Sequence, residues 1–296
     1  MKEIPKYIFS PMDRMYSHLN EPQLMKRLNK YDFGIKLISS FKDYDNIYLI
    51  TTFFEGKTLD HYSEEIMNEE KIKFISACII QSLIYFRKEE IIHRDIHLKN
   101  VIMDSDNYFN IIDFSSAINY EEKNNSNYYI KTNGYVAPPE MLRNKEYYFN
   151  SDYYRFGSII YYLIFKKYPN VIKKENNLKE ISIDYKKFNN YSYNCIDFIN
   201  KLIIADPKKR IGFKDINEIK DHPWFKNINW NKLEKKQIKS PFNYMYNNSD
   251  KHHDCSKLEI PNHYIERYRK ASKTFIYKQL IKKFEFCDIS NITKFL

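Results

Sequence analysis

The stretch that most restricts how this chain can fold runs from Asn68 to Asp113. It begins as a helix. Ile72, Ile75, Ile79, Ile80, Leu83 and Phe86 share one face, and Glu69 and Glu70 stand where a helix's positive end favours acids. The apolar pattern then gives way to "IIHRDIHLKNVIM" (residues 91–103) and, after it, "IIDFSS" (111–116). Short strands are predicted near 101–104 and 109–112, so a long helix delivers the chain into a polar loop and two strands leave it. Asp95 lies in that loop. Asp113 ends a strand eighteen residues later (113 − 95), with Asn100 between them. Two carboxylates and an amide can converge there, and such oxygen ligands suit Mg²⁺, which takes one or two carboxylates plus waters and phosphates. Asp95 is then left to accept or orient the proton of an attacking hydroxyl. Any one of the three alone is an ordinary turn residue. Their joint spacing, H-R-D-x-x-x-x-N followed by D-F, carries the chemistry.

The chain's 296 residues are enough for two lobes sharing a cleft, and an apolar content of 43% provides a core. Ahead of the long helix, Leu19, Leu24, Met25 and Leu28 mark a helix over 17–30. Two apolar runs around "KDYDN" predict a hairpin with strands at 35–41 and 47–54. From about 137 to 220 the pattern is mostly helical, and 231–296 reads as a polar, Asn/Lys-rich tail. The expected fold class is α+β and bilobal: a small β-containing lobe, a mainly helical large lobe, and the chemical cluster just past the seam.

Other classes are disfavoured. The net charge of +10 is gathered on no single helix face, so it reads as a solvated lysine-rich surface and not as a nucleic-acid site. The longest apolar run, "IIYYLIF" (159–165), is too short to span a bilayer, and the N-terminus lacks the apolar core of a signal peptide. Cys78, Cys195, Cys255 and Cys287 form no CxxC pair, and "HHDC" (252–255) has no second ligand pair nearby. The expectation is a cytoplasmic protein without membrane or nucleic-acid partners.

At this point the sequence resembles the eukaryotic protein kinases, whose motif set is H-R-D-x-x-x-x-N, D-F-G and A-P-E. The resemblance runs from residue 1 to about 230. It implies Asp95 as the residue that receives the substrate hydroxyl, Asn100 and Asp113 as metal-holding residues, and ATP and Mg²⁺ as cofactors. Arg94 would steady the activation segment. "GYVAPPE" supplies Glu140, "SDYYRFG" supplies Asp152 tied back to the catalytic loop, and "DPKKRIG" supplies Arg210 as the buried partner of Glu140. "HLNEPQLMKRL" resembles the small-lobe helix, with Glu21 paired to a strand lysine, Lys2, nineteen residues earlier (21 − 2). Met25, Leu37, His93 and Phe114 would stack as a spine through both lobes. Thr51 would control the back pocket, and Thr52, Phe53 and Phe54 would form the hinge that bonds adenine. The implied organisation is a partial small lobe at 1–54, a large lobe at 55–230 and a C-terminal tail at 231–296.

Three departures stand out. None of the five glycines forms G-x-G-x-x-G, so the phosphate-covering loop is expected to be encoded upstream of Met1. Ser115 replaces the glycine of D-F-G and is expected to stiffen that segment. His97 stands where serine/threonine kinases carry a lysine. A histidine, with an ordinary pKa near 6.5, would stabilise phosphate charge less at pH 7. A pseudokinase that binds without turnover is the alternative these departures raise. A small-molecule kinase is opposed by the A-P-E segment with Asp152 and Arg210.

"DHPWFKNINWNKLEKKQIKSPF" (221–242) resembles the end of the core and the start of the tail in the AGC group, while "KTNGYVAPPE" and "DYYRFG" lean toward its YANK-like branch. "IKKFEF" (281–286) resembles that group's hydrophobic motif, with Glu285 in place of a phosphorylated residue. This implies a monomer with its tail docked on its own small lobe. Thr132 matches the threonine that favours serine/threonine acceptors, with Ser126, Tyr128 and Tyr129 as nearby hydroxyls. Thr58 and Tyr162 replace acids that read substrate arginines, so the protein substrate is not expected to be arginine-directed.

Overall fold

A computed structural model describes residues 1–6, 12–42, 45–122, 137–144, 147–169, 173–174, 177–178, 183 and 190–243. Thr132, Ser126, Tyr128, Tyr129, Cys255, Cys287, the "HHDC" stretch and the "IKKFEF" motif with Glu285 lie outside the described residues.

The N-terminal part is a three-stranded antiparallel sheet, β1 (Lys2–Pro5), β2 (Leu37–Lys42) and β3 (Asn46–Thr51), in the order β1-β3-β2. Lys2 pairs with Leu49 and Ile4 with Ile47. Side chains alternate along a strand, so Lys2 lies on the same face as Ile4, whose cross-strand neighbours are fully buried. That register turns a lysine inward. The predicted hairpin is present with slightly shorter strands, and its register shifts between Leu37 and Ser39. The helix α1 (Met12–Leu28) begins five residues before its predicted start. Leu24, Met25 and Leu28 are buried against the sheet and the residues beyond it.

After α2 (Leu59–Tyr62) comes α3 (Glu69–Lys88), the long helix read from the sequence. Asn68 caps it by accepting from the Lys71 N–H at 2.9 Å. All six predicted core positions are buried, and from Phe74 to Phe86 the helix is buried on every side, so it is the axis of the large lobe. It leads into β4 (Ile91–Ile92), a 3₁₀ turn at Leu98–Asn100, the hairpin β5 (Val101–Met103) with β6 (Phe109–Ile111), a second 3₁₀ turn at Phe114–Ser116, and β7 (Ile118–Asn119). β4 pairs with β7, and β5 with β6, all antiparallel. The β4–β7 pairing, not foreseen from the sequence, closes the loop that carries Asp95.

The remaining elements are α4 (Pro139–Asn144), α5 (Phe149–Phe165), the two-residue strands β8 (Lys173–Lys174) and β9 (Asn177–Leu178), α6 (Tyr193–Leu202), α7 (Asn217–Lys220) and α8 (Trp230–Glu234). Gly157 lets α5 approach the end of α6: a Cβ there would lie 2.7 Å from Leu202 Cβ. Past α8 the chain lies along the large lobe. Tyr85 Oη donates to Glu234, Lys236 Nζ pairs with Asp104 at 2.7 Å, and Phe242 packs between Tyr62 and Phe109. No helix among the described residues is long and apolar enough to cross a membrane.

Candidate active site

The catalytic loop is held mainly by its backbone. The Asp152 carboxylate, buried at the start of α5, accepts from the His93 N–H at 2.7 Å and the Arg94 N–H at 2.9 Å. Arg94 has a positive φ of 66° and turns its side chain back, so that Nε donates to the Ser116 carbonyl at 2.6 Å. The loop and the segment after Asp113 are thereby fastened together. A second tie runs from the Ile112 N–H to the Asn100 carbonyl at 2.9 Å. It places Asp113, the next residue, beside Asn100.

Within this frame Asp95 is almost fully buried. Asn100 Nδ2 donates to the Asp95 carbonyl at 2.9 Å and reaches Asp95 Oδ2 at 3.4 Å. Its amide nitrogen is thus committed to Asp95 and its amide oxygen is turned elsewhere. His97 Nε2 lies 3.6 Å from Asp95 Oδ2, while its Nδ1 accepts from the Lys99 N–H at 3.2 Å. An Nδ1 that accepts places the proton of the neutral ring on Nε2, facing Asp95.

Lys2 joins the two lobes. Its Nζ donates to both oxygens of Glu21, at 2.8 and 3.0 Å, and to Asp113 Oδ1 at 2.7 Å. Burial works against the Lys2 ammonium, but Glu21 and Asp113 on either side outweigh it, and the lysine titrates above its ordinary value. Burial also opposes the Asp113 carboxylate. Lys2 and the Ser115 N–H overcome that and hold it well below the usual carboxylate range. Both of these bonds go to Oδ1. Asp113 Oδ2 and the amide oxygen of Asn100 are the hard oxygen donors that Mg²⁺ favours, so the residues present fit that ion.

Ser115 does not take the positive φ that glycine adopts most freely. The left-handed residue of this segment is Asp113, with φ 65° and ψ 81°, and Ser115 sits in an ordinary 3₁₀ turn. A glycine's freedom is not needed there, so serine costs no strain. The spine residues are buried, and the Phe114 and His93 rings meet edge to face with centroids 5.0 Å apart. Burial pushes the His93 imidazole down to about 4, which keeps it neutral. Thr51 is half-buried at the end of β3. The Thr52 N–H donates to the Lys36 carbonyl at 3.0 Å, and its hydroxyl accepts from the Lys36 N–H at 3.1 Å. The Thr52 backbone N–H is thereby committed within the protein, while Phe53 is 65% exposed. Gly56 follows, where a Cβ would meet the Met103 carbonyl oxygen at 2.4 Å. Only glycine admits this close approach between the stretch after β3 and β5.

Beyond the loop, Glu140 and Arg210 form a buried bidentate pair at 2.8 and 2.9 Å. Ser151 Oγ donates to Glu140 at 2.7 Å, and Arg210 also donates to the carbonyls of Asn150 and Ile204. Sequence reading did not find Ser116, Lys36 or Ser151, because two act through backbone groups and the third is one of many serines. Arg155, fully buried in α5, was missed too.

A two-lobed α+β fold whose inward lysine bridges a helix glutamate and a strand-end aspartate beside a histidine–arginine–aspartate loop defines a class of phosphate-transferring folds. The family model described as the protein kinase domain matches residues 1–225, and the chain belongs to the protein kinase family. Among its relatives, a probable serine/threonine-protein kinase of Dictyostelium discoideum is 30% identical over 247 residues, covering 82% of this chain and 54% of that protein. The serine/threonine-protein kinase AtPK1/AtPK6 of Arabidopsis thaliana is 31% identical over 222 residues, 73% of this chain and 48% of that one. The RAC serine/threonine-protein kinase of Drosophila melanogaster is 30% identical over 251 residues, 82% and 40% respectively. The chain thus spans about half or less of the length of these relatives.

Proposed function

We propose that the chain is a serine/threonine protein kinase that moves the γ-phosphoryl group of ATP to a protein hydroxyl. The observation that supports this best is Lys2 bridging Glu21 and Asp113 while Asn100 braces Asp95. Lys2 supplies the positive charge that orients the α- and β-phosphates. Asp95 aligns the acceptor hydroxyl and takes up its proton. Asn100 and Asp113 would hold Mg²⁺, which when bound neutralises charge on the β- and γ-phosphate oxygens. Most of the acceleration then comes from position and charge fixed before the reaction.

We assign the chain to the AGC group, a reading supported by the RAC relative and by residues 221–242, with the YANK-like branch resting on "KTNGYVAPPE" and "DYYRFG". Residues 1–54 serve as the small lobe, 55–230 as the large lobe and 231–296 as a tail. The chain acts as a cytoplasmic monomer, its tail docked on its own small lobe. Thr132 selects serine or threonine acceptors. Thr58, Tyr162 and the exposed Lys99 near Asp95 favour substrates that are not arginine-directed. Ser115 itself sits in an ordinary 3₁₀ turn, so it adds no backbone strain of its own that would favour the pseudokinase reading.

The test is a thermal shift with ATP and Mg²⁺ followed by phosphotransfer to a mixed serine/threonine peptide pool. The parent shows both. Asp95→Asn keeps the shift and loses turnover by at least about 100-fold. A parent with a shift and no transfer would establish a binding module instead.

A further inference from the structure

Among the described residues two arginines, Arg155 and Arg210, are sealed inside the protein. Arg155 sits in α5 with 0% exposure, and none of its three guanidinium nitrogens finds a hydrogen-bond acceptor among the described residues. A charge placed this way costs several kcal/mol of desolvation as an order of magnitude, so its retention calls for a compensating role. Arg155 lies three residues after Asp152, a spacing that puts both side chains on one helix face. Asp152 is the buried acceptor of the His93 and Arg94 amides.

We propose that Arg155 is a positioning residue for phosphoryl transfer: its buried guanidinium keeps the Asp152 carboxylate charged, so that both carboxylate oxygens accept from the catalytic-loop backbone. This rests on the kinase reading of Asp95. A protonated Asp152 would present one hydroxyl to an amide that needs an acceptor, and the His93–Arg94 turn would lose one of its two anchors. The balance is close. Burial raises the Asp152 carboxyl to about 6, against the two amide hydrogen bonds and the charges of Arg155 and Arg94, which pull it down.

The other groups around it do not titrate near neutrality. His93 is held neutral by burial, which pushes it down to about 4. Tyr147, beside both arginines, and Tyr153 are pushed up by burial. Arg94 has its Nε engaged with Ser116 and its guanidinium carbon lies 5.5 Å from the Tyr147 ring centroid. Arg155 borders the Tyr147 hydroxyl and has no carboxylate or carbonyl acceptor of its own among the described residues.

The experiment compares the full chain with Arg155→Met and Arg155→Lys, using two readouts across pH 5.5–9: kcat and amide exchange protection at His93 and Arg94. In Arg155→Met the acidic limb of kcat moves above pH 7, with turnover falling about tenfold per pH unit below the new midpoint. Amide protection falls along the same curve and recovers at alkaline pH. Arg155→Lys keeps the parent's profile. A folded Arg155→Met chain with the parent's curves, or with a loss equal at every pH, overturns the proposal. Should Arg155→Met fail to fold, Asp152→Asn decides: the parent's loss of amide protection near pH 6 must vanish in it, and persistence overturns the proposal. Protection that shifts as stated in a chain without turnover would refute the kinase reading and leave the role of Arg155 standing.

Discussion

Glu140→Ala is the substitution whose cost the structure fixes most firmly. Glu140 and Arg210 are 4% and 1% exposed, and the carboxylate takes two guanidinium bonds and the Ser151 hydroxyl. Removing it leaves a buried positive charge with only the Asn150 and Ile204 carbonyls, and a buried hydroxyl without its acceptor. Breaking one side of a buried pair costs about 3–5 kcal/mol, and the bidentate geometry with a third bond places this case at the upper end. For a domain of this size each kcal/mol lowers Tm by about 2–4 °C, so a fall of roughly 10–20 °C follows. The assay is urea unfolding of the full chain at neutral pH, at low and high salt. The loss should be insensitive to salt, since buried charges are little screened. The double variant Glu140→Met with Arg210→Met should recover part of the loss and not all of it, because Asn150 and Ile204 then lack their donor. A loss below about 1 kcal/mol, the range of exposed pairs, would refute the reasoning.

Other expectations follow from the same geometry. His93, lowered to about 4, binds a proton less readily folded than unfolded, so stability falls as pH drops from 6.5 to 4 by about 3 kcal/mol. Asp152, raised to about 6, has the opposite sign and gains a similar amount between pH 6 and 4. The two nearly cancel in the parent. His93→Phe should therefore become more stable as pH falls from 6 to 4, and Asp152→Asn less stable, read from urea midpoints; the same flat profile in both would disprove it. Gly56→Ala, which drives a Cβ to 2.4 Å from the Met103 carbonyl oxygen, should cost about 1–3 kcal/mol and weaken the ATP thermal shift. An unchanged melting temperature would show that the hinge can move aside. His97→Lys sets a permanent charge beside Asp95, and turnover at pH 7.5 should rise several-fold. A slower variant would show that the contact of His97 Nε2 with Asp95 matters more than charge.

The site was legible where chemistry is tied to sequence spacing. Asp95, Asn100 and Asp113 share a motif short enough that strand geometry decides where they meet, and Lys2 and Glu21 were named from the family resemblance and its nineteen-residue separation. Glu140 with Arg210, and Asp152 with the catalytic loop, were also named in advance and are in contact. What the sequence withheld is of another kind. The motif position of Ser115 was read as a backbone requirement, but the left-handed residue is Asp113, two residues earlier. Thr52 was assigned to adenine, and its N–H proves to be spent on Lys36. Arg155 drew no notice because an arginine in a helix is nearly always exposed, and only burial reveals that this one is not. Backbone hydrogen bonds and burial have no signature in residue spacing.

The same distinction bears on how Ser115 and His97 can vary without dismantling the site. The loop that carries Asp95 is fixed from beneath, through main-chain amides gripped by Asp152, and not by the side chains lining the cleft. The first turn of α5 supplies that grip and, one residue earlier, also supplies Ser151 to Glu140, while the Asn150 carbonyl receives Arg210. Three parts distant in sequence, around residues 93, 140 and 210, therefore meet on one buried helix start. Substitutions on the cleft side change charge and rate locally, whereas a change at Asp152 would move the catalytic loop and the Glu140 segment together. The polar groups of this helix start are buried at a desolvation cost that a purely apolar core would avoid. A cost of that kind is consistent with a fold whose first requirement is the placement of Asp95.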